Sequence, residues 1–196
     1  MTVLSVHVPH LDSVGVQKAM MEGSMSPYVN RIRRALKLDP ALFEEVEADR
    51  HATGEAVGVV LLSSGATGLG AIPQTSIGSL AILFLAVLVG WCAWVYVTFV
   101  FGVQVFSVPE TDVDVGQIVR TSGYAAAPGL FAIFGIIPLL YVPALALALV
   151  WMLAAMVVSV RQAFDYSSTW RALGVCAAGW IVLAAYIGGV VLLLRC

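Results

Sequence analysis

Few side chains in this chain could do chemistry away from water. The three histidines, His7, His10 and His51, all lie near its start, and Cys92, Cys176 and Cys196 share no metal-ligand or disulfide spacing. No HExxH, GxSxG or P-loop pattern occurs, and the long apolar runs hold no paired carboxylates. The chain is therefore read as non-enzymatic, with no cofactor and no metal. Cys92 and Cys176 sit inside apolar runs and read as small core residues. An intramembrane ionisable relay is missing, which argues against ion-coupled transport, and nothing recommends nucleic-acid binding.

What ionisable chemistry there is gathers at the ends of the apolar runs. Glu55 is the acid at the mouth of the first; it reads as a capping or snorkelling residue, the other reading being a proton or cation site. Arg31, Arg33, Arg34 and Lys37 form a basic set beside Val29, Ile32 and Leu36 at helical spacing. Such a set suits anionic lipid headgroups at about 1 kcal/mol per base. Arg120 and Arg161 close the two ends of the uncharged stretch Thr121–Val160. Asp165 lies between Arg161 and Arg171, where a local ion-pair and cap network is expected.

The most particular local pattern is Gly123-Tyr124 followed by Pro128. A proline gives no N–H to residue i−4, so the carbonyl of Tyr124 loses its helical partner and a kink is expected. In lipid that carbonyl needs a donor from a neighbouring helix, a hydroxyl or a water. The spot is then either a packing junction or the lining of a small polar cavity.

These residues must be positioned by membrane-spanning helices. The chain has 196 residues, 60% hydrophobic and 11% charged, against about 25% charged in a soluble domain. No charge occurs from Ala56 to Pro109 or from Ala172 to Leu194. At roughly 20 residues per span, the fold expected is an all-α integral membrane protein with five transmembrane helices, near residues 55–72, 79–101, 121–140, 143–161 and 172–194. Pro138 and Pro143 around Tyr141 mark the turn of the central hairpin. The first span is the weakest, since Ser63, Ser64, Thr67 and several glycines interrupt it. With Gly54-x-x-x-Gly58 at its start, it reads as buried among the others.

Residues 1–25 lack a sustained period and read as a flexible tail without a signal peptide; Met20, Met21 and Met25 leave a later start open. Residues 26–54 read as two amphipathic interfacial helices. Ser26-Pro27 caps a basic one and Asp39-Pro40 an acidic one. The pair is either a platform held together by its own charges or a docking surface for a partner. With five spans and a cytoplasmic N-terminus, Lys18, Arg31, Arg33, Arg34, Lys37, Arg50, Arg120, Arg161 and Arg171 share the cytoplasmic side and only Arg195 lies outside. The linker 102–120, with Pro109, Glu110, Asp112 and Asp114, is expected to be an interfacial loop ending in a short helix.

Arg120-Thr121-Ser122-Gly123-Tyr124-Ala125 with Pro128, and the run Trp151–Arg171 that includes VRQAFDYSSTWRA, resemble the prokaryotic branch of the Yip family. The resemblance covers roughly Ser26 to the end. In eukaryotes that family consists of Golgi and endoplasmic-reticulum proteins that engage prenylated Rab GTPases in vesicle traffic and membrane organisation. The Asp-Leu-Tyr-Gly-Pro motif of many eukaryotic members is absent here, Asp39-Pro40 being the nearest echo, so Rab binding is not carried over. The resemblance implies the five-span topology and the importance of Gly123, Tyr124 and Pro128.

The function expected is that of a scaffold or adaptor in the inner or plasma membrane. Its cytoplasmic face would be Arg31–Asp49, the 102–120 linker and the Arg161–Arg171 junction. Its partners would be membrane lipids and a membrane or cytoplasmic protein, with homo-oligomers left open. The alternative is a small permease or lipid scramblase using the glycine-rich spans and the kinked third helix, which would require Ser63, Ser64, Thr67 and Tyr124 to converge on one cavity.

Overall fold

Ser26 and Pro27 open the first described helix, α1 (Pro27–Leu36). The serine oxygen accepts from the N–H of Val29 at 3.4 Å, and the proline sits where a missing N–H costs nothing. Leu38, with φ 57°, turns the chain out of α1. Asp39 accepts from the N–H of Ala41 at 3.1 Å and starts α2 (Pro40–Ala48). In this computed structural model residues 26–74, 77–105 and 113–195 are described. The tail with His7 and His10, the turn residues Thr75 and Ser76, the linker residues Pro109, Glu110 and Asp112, and Cys196 lie outside them.

The longer helices follow as α3 (Ala52–Gly70), α4 (Ile77–Gln104), α5 (Val115–Ala125), α6 (Tyr141–Ala163) and α7 (Thr169–Arg195). Short 3₁₀ turns occur at Ile72–Gln74 and Pro138–Leu140, the second making the expected hairpin turn. Among the described residues three segments are long and apolar enough to cross a membrane: Leu80–Gln104, Pro138–Ala163 and Thr169–Tyr186. α3 is not one of them, because its serines, threonines and glycines dilute its hydropathy. Its Val57, Leu61, Leu62 and Leu69 are exposed, so it faces outward along one side as well as being packed on the other.

The segment 121–140, expected as one kinked helix, is a different object. α5 begins before it, with the backbone N–H of Asp114 donating to Gln117 Oε1 at 2.6 Å, and stops at Ala125. The chain then runs as a 3₁₀ helix over Ala127–Ile136. Pro128 lies in the first turn of that segment, where its missing N–H interrupts the α-helical ladder. A ten-residue 3₁₀ run is long by ordinary standards. It is held on both sides, with Ala127, Pro128, Gly129, Ala132 and Gly135 buried. Irregular backbone is tolerated in a membrane protein when protein surrounds it.

The elements close into a ring. α3 packs on α4, α4 on α7, α7 on α6, α6 on the 3₁₀ segment, and the 3₁₀ segment back on α3. α5 packs against α3, α4 and α6. α2 lies on α5 and α6, and α1 on α5 and the 3₁₀ segment, with Leu42, Phe43 and Val46 of α2 fully buried. Close approach around α3 depends on glycines other than the expected pair. A Cβ on Gly54 would meet nothing within 4 Å, and Gly58 faces the side-chain hydroxyl of Tyr28 on α1 and not the backbone of another helix. By contrast a Cβ on Gly70 would stand 2.0 Å from the carbonyl oxygen of Ala132. Cys176 is fully buried as expected, whereas Cys92 is exposed on the outer side of α4 and is no core residue.

Gly70→Ala should therefore destabilise the protein by about 1–3 kcal/mol, since a backbone oxygen cannot swing aside. Gly68→Ala, in the same helix but with nothing within 4 Å of its Cβ, should be neutral or slightly stabilising. Thermal unfolding in detergent separates the two, and an equal fall in both would show that the Gly70–Ala132 approach is not what sets stability.

Candidate functional site

The charged residues at the ends of the helices converge on α1 and α2. Arg31 projects from α1 and bonds three carboxylates. Its Nε donates to Glu45 Oε1, its Nη2 to Asp49 Oδ2 and its Nη1 to Glu55 Oε2, each at 2.9 Å. Glu55 lies in the first turn of α3 and also accepts from the hydroxyl of Tyr124 at 2.5 Å. One guanidinium thus joins α1, α2 and α3, and the tyrosine adds α5. Arg34 extends the network, donating to Asp39 Oδ2 at 2.7 Å and to Glu45 Oε2. Two guanidiniums face the four carboxylates of Asp39, Glu45, Asp49 and Glu55.

The electrostatics follow from that geometry. Partial burial works against the charge of Arg31, but its bonds to Glu55, Asp49 and Glu45 outweigh it and hold the group firmly protonated. The Arg31 guanidinium and the backbone N–H of His51 keep Asp49 below the usual carboxylate range. Burial would raise Glu45, yet Arg34 and Arg31 bring it down. The basic set expected at lipid headgroups therefore divides. Arg31 and Arg34 are taken up by internal carboxylates, while Arg33 and Lys37, four residues apart beside the exposed Val29, point outward and make no ion pair among the described residues.

A second joint is built on Arg120, which is 6% exposed. Its Nε donates to the carbonyls of Val46 at 3.0 Å and Glu47 at 3.1 Å, and its Nη2 to Glu47 at 2.5 Å. These are among the last carbonyls of α2, which lack intrahelical partners and carry the negative end of the helix dipole. Gln117 donates to Glu47 Oε1 at 3.0 Å, Gln162 to Glu44 Oε1 at 2.6 Å, and the indole of Trp151 to the carbonyl of Leu36 at 2.9 Å. Glu47 is pushed up to about 7 by burial and by the charges of Asp165 and Glu44, against the pull of Arg120.

The sequence-predicted junction is only partly one site. Gly123 lies against α3, where a Cβ would come within 2.7 Å of the Ala56 Cβ. Tyr124 and Pro128 are fully buried, but Tyr124 serves the Arg31–Glu55 network and Pro128 the start of the 3₁₀ segment. The side-chain hydroxyl that answers the break comes from Ser63, whose Oγ donates at 2.8 Å to the carbonyl of Ala126, two residues beyond the one expected. The ion-pair network expected at Asp165 does not form among the described residues. Asp165 takes φ 49°, Arg161 Nε reaches the carbonyl of Tyr166 at 3.3 Å, and Arg171 is exposed. Aromatic packing holds that loop instead, with Phe164 and Tyr166 stacked at 5.4 Å and the Tyr166 hydroxyl donating to the carbonyl of Gly102 at 3.4 Å. Glu45 and Asp49 lie within the expected face Arg31–Asp49, and their bonds to Arg31 make α1 and α2 a platform held together by its own charges. The joining of Glu55 and Tyr124 to that network was not expected, and only the position of Glu55 at the mouth of an apolar run hinted at it.

Inside the ring lies a cavity of about 430 Å³, walled by α3, α4, the 3₁₀ segment, α6 and α7. Ser63, Ser64 and Thr67 line it; Tyr124 does not. The convergence of all four residues is therefore not observed.

Two predictions follow from these joints. Arg31→Ala, which strands Glu45, Asp49 and Glu55 together, should cost about 1–3 kcal/mol, part of the penalty being relieved by solvent at these half-exposed carboxylates. Tyr124→Phe should cost less, about 1 kcal/mol; thermal unfolding in detergent gives the order, and equal losses would contradict it. A carboxyl whose folded pKa is raised favours the folded state while protonated. The stability from Glu47 is thus present below its unfolded value near 4.5 and is lost as pH rises through about 7. Glu47→Gln should flatten that fall, and an unchanged pH profile between pH 5 and 8 would refute the assignment.

A family model, the Yip1 domain, matches residues 50–192. The match starts just after α2, so the network at Arg31 joins a preceding layer to the matched region. None of the curated proteins and none of the solved structures matches the chain. With the family model covering most of its length, and with helices able to cross a membrane, the chain belongs to the Yip1-domain family of membrane proteins.

Proposed function

We propose that this chain is a five-span scaffold or adaptor of the inner or plasma membrane, docking a membrane or cytoplasmic protein through a cytoplasmic layer formed by α1 and α2. The observation that carries the reading is the way this layer is fastened. Glu55 at the start of α3, Arg120 in α5 and Gln162 near the end of α6 all bond into it. The end of α4 meets the loop that leads into α7 through Gly102 and Tyr166. Such alternation of starts and ends supports five crossings with the N-terminal layer on one side. The basic residues then favour the cytoplasm for that side. A layer locked by this many charged bonds presents a fixed surface, and Arg33, Lys37 and Glu44 are exposed on it. Fixed charged surfaces favour selective partners because less ordering entropy is lost on binding.

The alternative, a permease or scramblase, draws on the central cavity. Among the described residues the cavity walls include no charged side chain, which opposes passage of ions or zwitterionic headgroups through it. Vesicles containing the protein should therefore show no phospholipid flux above empty vesicles, and clear flux would restore that reading.

Photoreactive residues placed at Arg33, Lys37 and Glu44 test the adaptor directly. In native membranes they should crosslink to a discrete protein, and Arg33→Glu with Lys37→Glu should weaken that product several-fold while leaving thermal stability unchanged. Crosslinks to lipid alone at all three positions would make the layer a membrane anchor and end the adaptor reading.

A further inference from the structure

The central cavity has a chemical character that docking through α1 and α2 does not use. Its volume, about 430 Å³, lies within the roughly 300–1,000 Å³ of small-molecule sites. Leu145, Met152, Met156 and Leu183 give it hydrocarbon walls. Among the described residues no acidic, basic or histidine side chain lines it, so a phosphate or ammonium group inside would be buried without a countercharge.

Besides Trp94, Tyr141 and Tyr186, the wall carries polar side chains of two kinds, serine and threonine hydroxyls and the indoles of two further tryptophans. Ser64 Oγ donates to the carbonyl of Val60 at 2.8 Å, Thr67 Oγ1 to Ser63 at 2.9 Å, and Ser63 Oγ to Ala126 at 2.8 Å. With their protons spent on backbone, these hydroxyls keep lone pairs that accept from a ligand. The wall residues Trp91 and Trp180 supply the opposite chemistry: each has a buried indole N–H with no partner among the described residues, and an indole nitrogen only donates. The complement is an uncharged molecule carrying both a hydroxyl and a carbonyl on a hydrocarbon body. Leu149 belongs both to the wall and to the exposed outer surface of α6, which places the cavity beside the bilayer interior.

We propose that this cavity binds the glycerol end of a neutral lipid of the diacylglycerol class, its uncharged ester and hydroxyl groups at the serines and tryptophans, the upper part of a chain among the aliphatic side chains and the rest of the chains in the bilayer beside Leu149. The site is independent of the adaptor reading, since it shares no residue with the Arg31 network.

The test uses full-length protein in phosphatidylcholine vesicles doped with diacylglycerol bearing a diazirine on its chain, or with phosphatidylcholine bearing the same group. After photolysis, labelled peptides are mapped by mass spectrometry. The diacylglycerol probe should concentrate on α4 and α7 near Trp91 and Trp180, and unlabelled diacylglycerol should compete it away. The phosphatidylcholine probe should label outward residues such as Leu85 and Ile181 instead. Trp91→Phe with Trp180→Phe keeps ring bulk while removing both donors, and should lower cavity labelling roughly fivefold. Ala148→Phe, at a wall position 2% exposed, should fill the space and abolish it. Equal cavity labelling by both probes, cavity labelling by neither, or undiminished labelling of the folded tryptophan double variant overturns the proposal.

Discussion

The guanidinium of Arg31 is the point on which the polar end of the structure depends. A charged group packed against apolar helices must be matched by opposite charge and hydrogen bonds, or its desolvation works against folding. Arg31 meets that requirement with carboxylates from α2 and α3, and Glu55 passes the connection to Tyr124. The amphipathic pair α1–α2 is thereby joined to the helical bundle by directional bonds as well as by the burial of Leu42, Phe43 and Val46. Both partners remain partly hydrated, so the network contributes orientation more than large net stability.

The same demand for satisfied polar groups shapes the interior. Where Pro128 ends the α-helical ladder, the chain turns to 3₁₀ geometry and α3 approaches closely enough for Ser63 to reach the carbonyl of Ala126. Small residues make that approach possible: Gly123 against Ala56, Gly129 against Ser63 and Met152, Gly70 against Ala132. The dilute hydropathy of α3 has a physical counterpart here. Ser63 and Gly70 lie on the side that touches irregular backbone, while Val57, Leu61, Leu62 and Leu69 occupy the outer side.

Polar and apolar work are consequently separated along the helices. One end carries ion pairs, the Arg120 cap on α2 and the amide bonds of Gln117 and Gln162. The middle holds an uncharged cavity with hydroxyls and indoles on its wall. A charged surface and an interior lined by uncharged side chains can coexist in one small bundle because few charged residues lie between them.

Membership of the all-α membrane class, the long apolar helices α4, α6 and α7, the two capped helices at Pro27 and Pro40, and the break in the helix near Pro128 were all legible in the chain. Each is a local property: hydropathy over a window, a capping residue before a proline, or a proline inside a run. Which charge meets which was not legible, because Arg31 and Glu55 are 24 residues apart and nothing local distinguishes Arg31 from Arg33. Only the packing of α1 across α5 and the 3₁₀ segment turns Arg31 and Arg34 inward and Arg33 and Lys37 outward. The 3₁₀ course of Ala127–Ile136 was hidden for a related reason. Proline predicts a break, but the geometry adopted afterwards depends on how closely α3 and α6 press from either side, and that is a property of the assembled ring.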